Sequence, residues 1–244
     1  MARVEERLAA ALRGLGDKPS DTAAASVKKR YSERVSQVVA EVFAAELRER
    51  GLDTALPAPP GEVDRSGAER RMSGGIGAKK VDVTWATEES GLILAISVKT
   101  INFRDGRSSN FQKNLTNRRS DLLFEAVTLH RKFPYAVLAG FFILDHEAGA
   151  DQTDRRKSTF ENAHLRLRLF TGRSDPAGRD EQYERLYVVL MKAGSTDVSF
   201  DVYLAGEPER PIALDSIFDA LLELVTERDP DFYEIDDDGE LKRV

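Results

Sequence analysis

The sequence predicts an α/β protein with a mixed central β-sheet flanked by helices, helices at its N-terminal end and an extension at its C-terminal end. Three observations carry that prediction. Residues 80–86 and 92–99 read as strands joined by the polar turn ATEESG, a hairpin pattern. The run YAVLAGFFIL after Pro134 is apolar almost throughout, as in a strand covered on both faces. Between them, LTNRRSDLLFEAVTLHRKF places Leu122, Leu123, Ala126, Val127 and Leu129 at helical spacing. Hairpin, helix and buried strand in that order fit a layered sheet-and-helix architecture.

Taken along the chain, residues 2–15 and about 22–50 are helical, separated by Gly14, Gly16 and Pro19, with Ser20 or Asp21 placed to cap the second helix. In that helix Tyr31, Val35, Val38, Val39, Val42, Phe43 and Leu47 form an apolar stripe, and Gly51 suits the residue just past its end. The stretch LPAPPGEVDRSGAERRMSGGIGA reads as a loop with room for a short strand. After YAVLAGFFIL come a helix or strand around 158–170, strands in YERLYVVLMKA and VSFDVYL, and a helix at about 213–227. The tail YEIDDDGELKRV is expected to be poorly ordered. All 244 residues are read as one domain, with a core over about 25–145, residues 150–230 packed on it, and 231–244 as an acidic tail.

Composition narrows the chemistry. Apolar residues at 41% and charged residues at 32% fit a globular chain with a full core. No run reaches the roughly 18 apolar residues of a membrane span, and the start lacks an uninterrupted apolar signal segment, so a cytoplasmic protein without membrane partners is expected. Cysteine is absent, and His130, His146 and His164 have no metal-ligand spacing. Any metal is therefore expected to be a hard ion held by carboxylates.

The hairpin raises the central question. Side chains alternate across a strand, which puts Ile93, Ala95, Ser97 and Lys99 on one face of 92–99. Asp82 and Thr84 share a face of the partner strand. A turn centred between Glu89 and Ser90 pairs Asp82 with Ser97 and Lys80 with Lys99, so Asp82, Ser97 and Lys99 converge. A lysine closing so apolar a strand needs a partner. An exposed ion pair is the plain explanation. The chemical alternative is a carboxylate that helps hold a divalent cation, beside an ammonium that orients water or offsets phosphate charge.

This order of elements resembles the PD-(D/E)xK nuclease superfamily, to which many restriction endonucleases belong. Its core is a helix, a strand carrying Asp, a strand carrying (D/E)xK, a helix and another strand, matched here over about 25–145, somewhat over half the chain. Asp82 stands at the motif's Asp, after Val81 rather than Pro, and Lys99 at its Lys; Ser97 replaces the acidic residue. In one restriction-enzyme group the strand reads SVK, and the carboxylate moves to the next helix within a pattern like N-x-R-T-E. This chain has SVKT at 97–100, then Asn117-Arg118-Arg119-Ser120-Asp121 after a longer gap. Asp121 thus resembles the migrated carboxylate and is preferred over Glu125, one turn further on. The superfamily often adds a Glu from the first helix, and Glu46, near the centre of the apolar stripe, is chosen over Glu41. The resemblance implies a restriction endonuclease-like core and a catalytic set of Asp82, Lys99, Asp121, Glu125 and Glu46. It further implies Mg²⁺ on Asp82 and Asp121, double-stranded DNA as substrate and a homodimer. The biology implied is type II restriction or related anti-phage defence.

The net charge of −6 argues against a polyanionic partner, but its distribution does not. Residues 207–244 carry 13 acidic and 4 basic residues, a local −9, so the rest carries +3. Arg65 to Lys80 holds five basic residues against Glu69, and Lys99 to Arg119 holds six against Asp105. Local patches steer polyanions more than totals do. The loop 102–119, with Phe103 and Phe111 among its charges, is expected to contact DNA through Arg104, Arg107, Lys113, Asn117, Arg118 and Arg119. Two rival classes are a DNA-binding protein that kept the fold and lost cleavage, and a hydrolase using Ser97 and Lys99. The latter lacks a G-x-S-x-G elbow.

Overall fold

The computed structural model describes residues 3–59, 61 and 70–244. Arg65 and Glu69 of the basic stretch lie outside them. Helices α1 (Arg3–Gly14) and α2 (Ala25–Glu49) come first, followed by a hairpin of β1 (Arg70–Gly74) and β2 (Gly77–Val81). Strands β3 (Val83–Thr87) and β4 (Gly91–Ile101), helix α3 (Leu115–His130) and strand β5 (Val137–Asp145) form the centre. Helix α4 (Thr159–Leu167), strands β6 (Arg185–Lys192) and β7 (Ser199–Leu204), helix α5 (Leu214–Arg228) and a hairpin of β8 (Tyr233–Ile235) and β9 (Leu241–Arg243) complete it.

The five-stranded sheet runs β3-β4-β5-β6-β7, antiparallel at both outer pairs and parallel at β4/β5 and β5/β6. It is the mixed sheet flanked by helices that the sequence predicts. Both parallel connections pass through a helix, α3 and then α4, and these two pack on one face, as Leu122, Ala126, Ala163 and Leu167 share a core with Leu138 and Phe142. Helices α1, α2 and α5 cover the other face around Phe43, Phe141 and Phe218. Buried on both sides, β5 is apolar from Val137 to Leu144, which explains VLAGFFIL before Asp145.

Near the candidate site the observed register is the expected one: Val83 faces Ile96, Thr84 faces Ala95 and Trp85 faces Leu94. Two details differ. A bulge leaves Ile93 unpaired and turns it into the core shared with Leu94, away from the face of Ser97. At Asp82 the chain bends out of the sheet, so Lys80 pairs with Arg71 in the small hairpin and not with Lys99. The cap of α2 also differs. Ala24 precedes the helix, while Asp21 accepts the backbone N–H of Arg104 at 3.1 Å.

The acidic C-terminal segment is packed. Tyr233 meets Trp85 edge-on at 5.2 Å, and Leu241 N donates to Arg50 O at 2.8 Å. Gly51, at φ +92°, is needed there, because a Cβ would lie 2.2 Å from the Leu241 carbonyl oxygen.

Beside the start of the central strand β5, Glu184 is completely buried. It accepts Leu138 N–H at 2.8 Å and Arg173 Nη1 at 2.9 Å, with His130 Nε2 and Arg228 Nη2 each at 3.3 Å. Burial alone would raise its pKa, but the His130 contact, Leu138 N–H and Arg173 hold it below the ordinary carboxylate value. A carboxyl so depressed stabilises the fold above its unfolded pKa, and the contribution is lost as pH falls through the folded value. Glu184→Gln, which leaves two guanidinium groups without their carboxylate, is expected to cost about 3 kcal/mol at neutral pH. It is also expected to flatten the decline in stability below about pH 4.5, measured by urea unfolding across pH.

Candidate active site

Asp82, Ser97 and Lys99 converge because adjacent antiparallel strands carry them on one face, and α3 crosses above that face with Glu125 pointing down. Asp82 sits at the bend between β2 and β3. Its Oδ2 accepts the Val98 backbone N–H at 2.6 Å, supplying an acceptor where the chain has left the sheet. Lys99 Nζ lies 3.1 Å from Glu125 Oε2 and 3.7 Å from Asp82 Oδ2. Ser97 Oγ donates to Glu125 Oε1. Burial by itself would lower the pKa of Lys99, but the charges of Glu125 and Asp82, with Asp121 behind them, hold it above the ordinary lysine value. Lys99 is therefore an ammonium at neutral pH, a donor and a positive charge.

The cluster forms the floor of an open cleft of about 1270 Å³. One wall is the N-terminal half of α2, with Lys28, Lys29, Ser32, Glu33, Ser36 and Gln37. The opposite side carries Lys79 and Lys80 of β2 and Arg118 of α3, and the loop after β4 closes the end with Phe103, Arg104, Asp105 and Lys113. Eight lysines and arginines line it against five acids, Glu33, Asp82, Asp105, Asp121 and Glu125. The cleft is therefore net positive in a chain that is net negative, the distribution that draws in a polyanion.

The loop is rigidly built for its size. Asp105 accepts the N–H groups of Arg107 and Ser108 and the Ser108 hydroxyl, and pairs with Lys113. Ser109 adopts φ +50° to close the turn. Arg107 stands exposed at its tip.

The remaining expected site residues divide. Glu125 and Asp121 both border the cleft, but only Glu125 touches Lys99 and Ser97. Its side chain is 3% exposed, whereas that of Asp121 is 52% exposed and lies 3.6 Å from Arg118. The geometry thus reverses the preference for Asp121. Arg104, Lys113 and Arg118 border the cleft, and Asn117 lines a shallow depression continuous with it. Arg119 does not, as its guanidinium lies over the Phe170 ring on another side of α3. Glu46 is absent from the cleft. It is buried, accepting Arg50 Nε at 2.7 Å and Arg7 Nη1 at 3.2 Å, so its place within an apolar stripe is explained by ion pairs that join α1 to α2. The α2 carboxylate that does face the cleft is Glu33. Its helical position relative to Lys29 and Gln37 was the available signal, since all three lie off the apolar stripe. Ser97 is 2% exposed, behind Glu125, which removes it as an accessible nucleophile.

No protein-family model, curated protein or solved structure matches the chain.

The acidic oxygens at the cleft floor are of the hard type that a divalent cation takes. Mg²⁺ is commonly held by one or two carboxylates, with water and substrate oxygens completing its shell, and Asp82 and Glu125 offer two beside an open cleft. Among the described residues no three acidic or imidazole groups come together to enclose an ion. The two carboxylates instead share the Lys99 ammonium, a cation already seated between them. If Glu125 is built into this cluster and Asp121 is a surface residue, their removal has different consequences. Glu125→Ala is expected to destabilise by about 1–3 kcal/mol, since Ser97 and Lys99 lose their partner. Asp121→Ala is expected to change stability by less than about 0.5 kcal/mol. Urea denaturation of the two variants checks both.

Proposed function

We propose that the chain is a Mg²⁺-dependent endonuclease with a restriction endonuclease-like core, hydrolysing phosphodiester bonds of double-stranded DNA in restriction or a related anti-phage defence. The observation that carries this reading is the meeting of Asp82, Glu125 and Lys99 on the floor of a cleft with cationic walls. Asp82 and Glu125 are the residues that would hold the metal. Bound there, Mg²⁺ supplies Lewis-acid polarisation of the phosphate and a water of lowered pKa. Lys99, held as an ammonium, donates to the attacking water or to a phosphate oxygen and offsets the charge that builds as water bonds to phosphorus and a P–O ester bond breaks. Lys28, Lys29, Lys79 and Lys80 flank the floor and would pair with phosphates on either side of the scissile bond. One such site cuts one strand, so cutting both strands calls for two copies of the chain.

A second reading, a DNA-binding protein without cleavage, draws on the convergence of two carboxylates and not three. The two are separated by incubating purified protein with plasmid and phage DNA and Mg²⁺. The expected result is cleavage that EDTA abolishes and that Asp82→Ala, Lys99→Ala and Glu125→Gln each slow on the order of 10²-fold or more. Intact DNA with salt-sensitive binding would favour the second reading, and neither binding nor cleavage would overturn both.

A further inference from the structure

Tyr183 is a buried polar side chain that takes no part in the chemistry above. It lies in the segment leading into β6, 1% exposed, yet its hydroxyl reaches the site from beneath. The O–H lies 3.1 Å from the Leu122 carbonyl and 3.4 Å from Ser97 Oγ. Leu122 precedes Glu125 by three residues on α3, and Ser97 is the donor to Glu125 Oε1. One hydroxyl therefore touches both supports of that carboxylate, the helix that carries it and the strand residue that orients it. Burial, and then the nearby Glu125 charge, push the Tyr183 pKa well above that of free tyrosine, so the group keeps its proton.

The surroundings fix Tyr183 in turn. Gly140 pairs with Ser97 across β4 and β5, and a Cβ there would lie 2.5 Å from Leu186 Cδ1 and 3.4 Å from the Tyr183 ring. The absent side chain leaves the space through which the ring extends toward Ser97. The Tyr183 backbone is bonded on both sides, N–H to Phe170 O at 2.9 Å and O to Arg173 N–H at 3.1 Å. Next to it, Glu184 faces His130 at the last turn of α3. Residues 183 and 184 thus hold α3 at Leu122 and at His130, and Glu125 lies between those two points.

We propose that Tyr183 is a positioning residue for Glu125, acting through Ser97 and the Leu122 carbonyl to set the carboxylate for cation binding. The inference rests on the metal-dependent reading above. Groups that orient a metal ligand through a hydrogen bond govern affinity without touching the ion.

The test is calorimetric titration of Mn²⁺ into the full chain, with thermal melting of each variant. Wild type is expected to bind at a site lost in Glu125→Gln. Tyr183→Phe keeps the ring and removes only the hydroxyl, so it is expected to weaken Mn²⁺ about 10-fold while melting within a few degrees of wild type. Ser97→Ala is expected to weaken Mn²⁺ similarly, and the double variant to be weakened by less than the two single effects combined, because part of the effect of Tyr183 passes through Ser97. Affinities within about two-fold of wild type in Ser97→Ala and in folded Tyr183→Phe would overturn the positioning role and leave the metal reading intact. If Tyr183→Phe does not fold, Ser97→Ala within about two-fold of wild type overturns the role, and Ser97→Ala weakened about 10-fold in a variant that keeps the Tyr183–Leu122 contact supports the path through Ser97. Wild type that takes up no Mn²⁺ would overturn the metal reading and the positioning role with it.

Discussion

An ammonium taken into the end of a buried strand must find negative charge, and Lys99 finds it in Asp82 from the neighbouring strand and Glu125 from the helix above. That demand couples three elements. The sheet must stay paired to keep Asp82 beside β4, and the chain must leave it at Asp82 so that the carboxylate can reach the Val98 N–H. Helix α3 must cross at a height that brings Glu125, and not a residue one turn away, over Lys99. The low polarity of the surroundings strengthens each contact and makes an unpaired member costly.

The support beneath this cluster is polar and fully interior. Glu184 joins the start of β5 to two arginines and to the end of α3. Tyr183, the residue before it, touches Ser97 and the middle of α3. Paired charges and hydrogen bonds in so dry a setting favour one arrangement where an apolar core would allow several. The α3–β4 geometry is held in this way, which suits a site whose members must stand within a few tenths of an ångström of one another.

The cleft also accounts for a charge distribution that the total conceals. Acidic residues of the C-terminal region serve the opposite face of the sheet, where Asp215 and Asp219 of α5 pair with Arg50. Helix α2, the small hairpin and the loop after β4 leave their lysines around the cleft. The positive charge is local because the elements that carry it converge on the strand ends.

What the sequence determined by itself was local and periodic. Alternation along 80–99 set the facing of Asp82, Ser97 and Lys99, and the turn position set a register that the structure keeps beside the site, because strand pairing over a short hairpin depends on near neighbours alone. Apolar runs marked β5 and α3 for the same reason. Tertiary structure decided the rest. Asp121 and Glu125 lie only about 40° apart around a helix and about 6 Å apart along it, so periodicity gives them one face, and only the height of α3 over the sheet selects Glu125. Glu46 looked functional because it is a charge in an apolar stripe; Arg50, one turn on, pairs with it, but Arg7, which ties it to α1, lies 39 residues away in sequence. The C-terminal segment looked like a loose acidic tail because Trp85 and Gly51, which receive it, are more than 140 residues upstream. Partners distant in sequence leave no local trace, and it is they that set depth, pairing and order here.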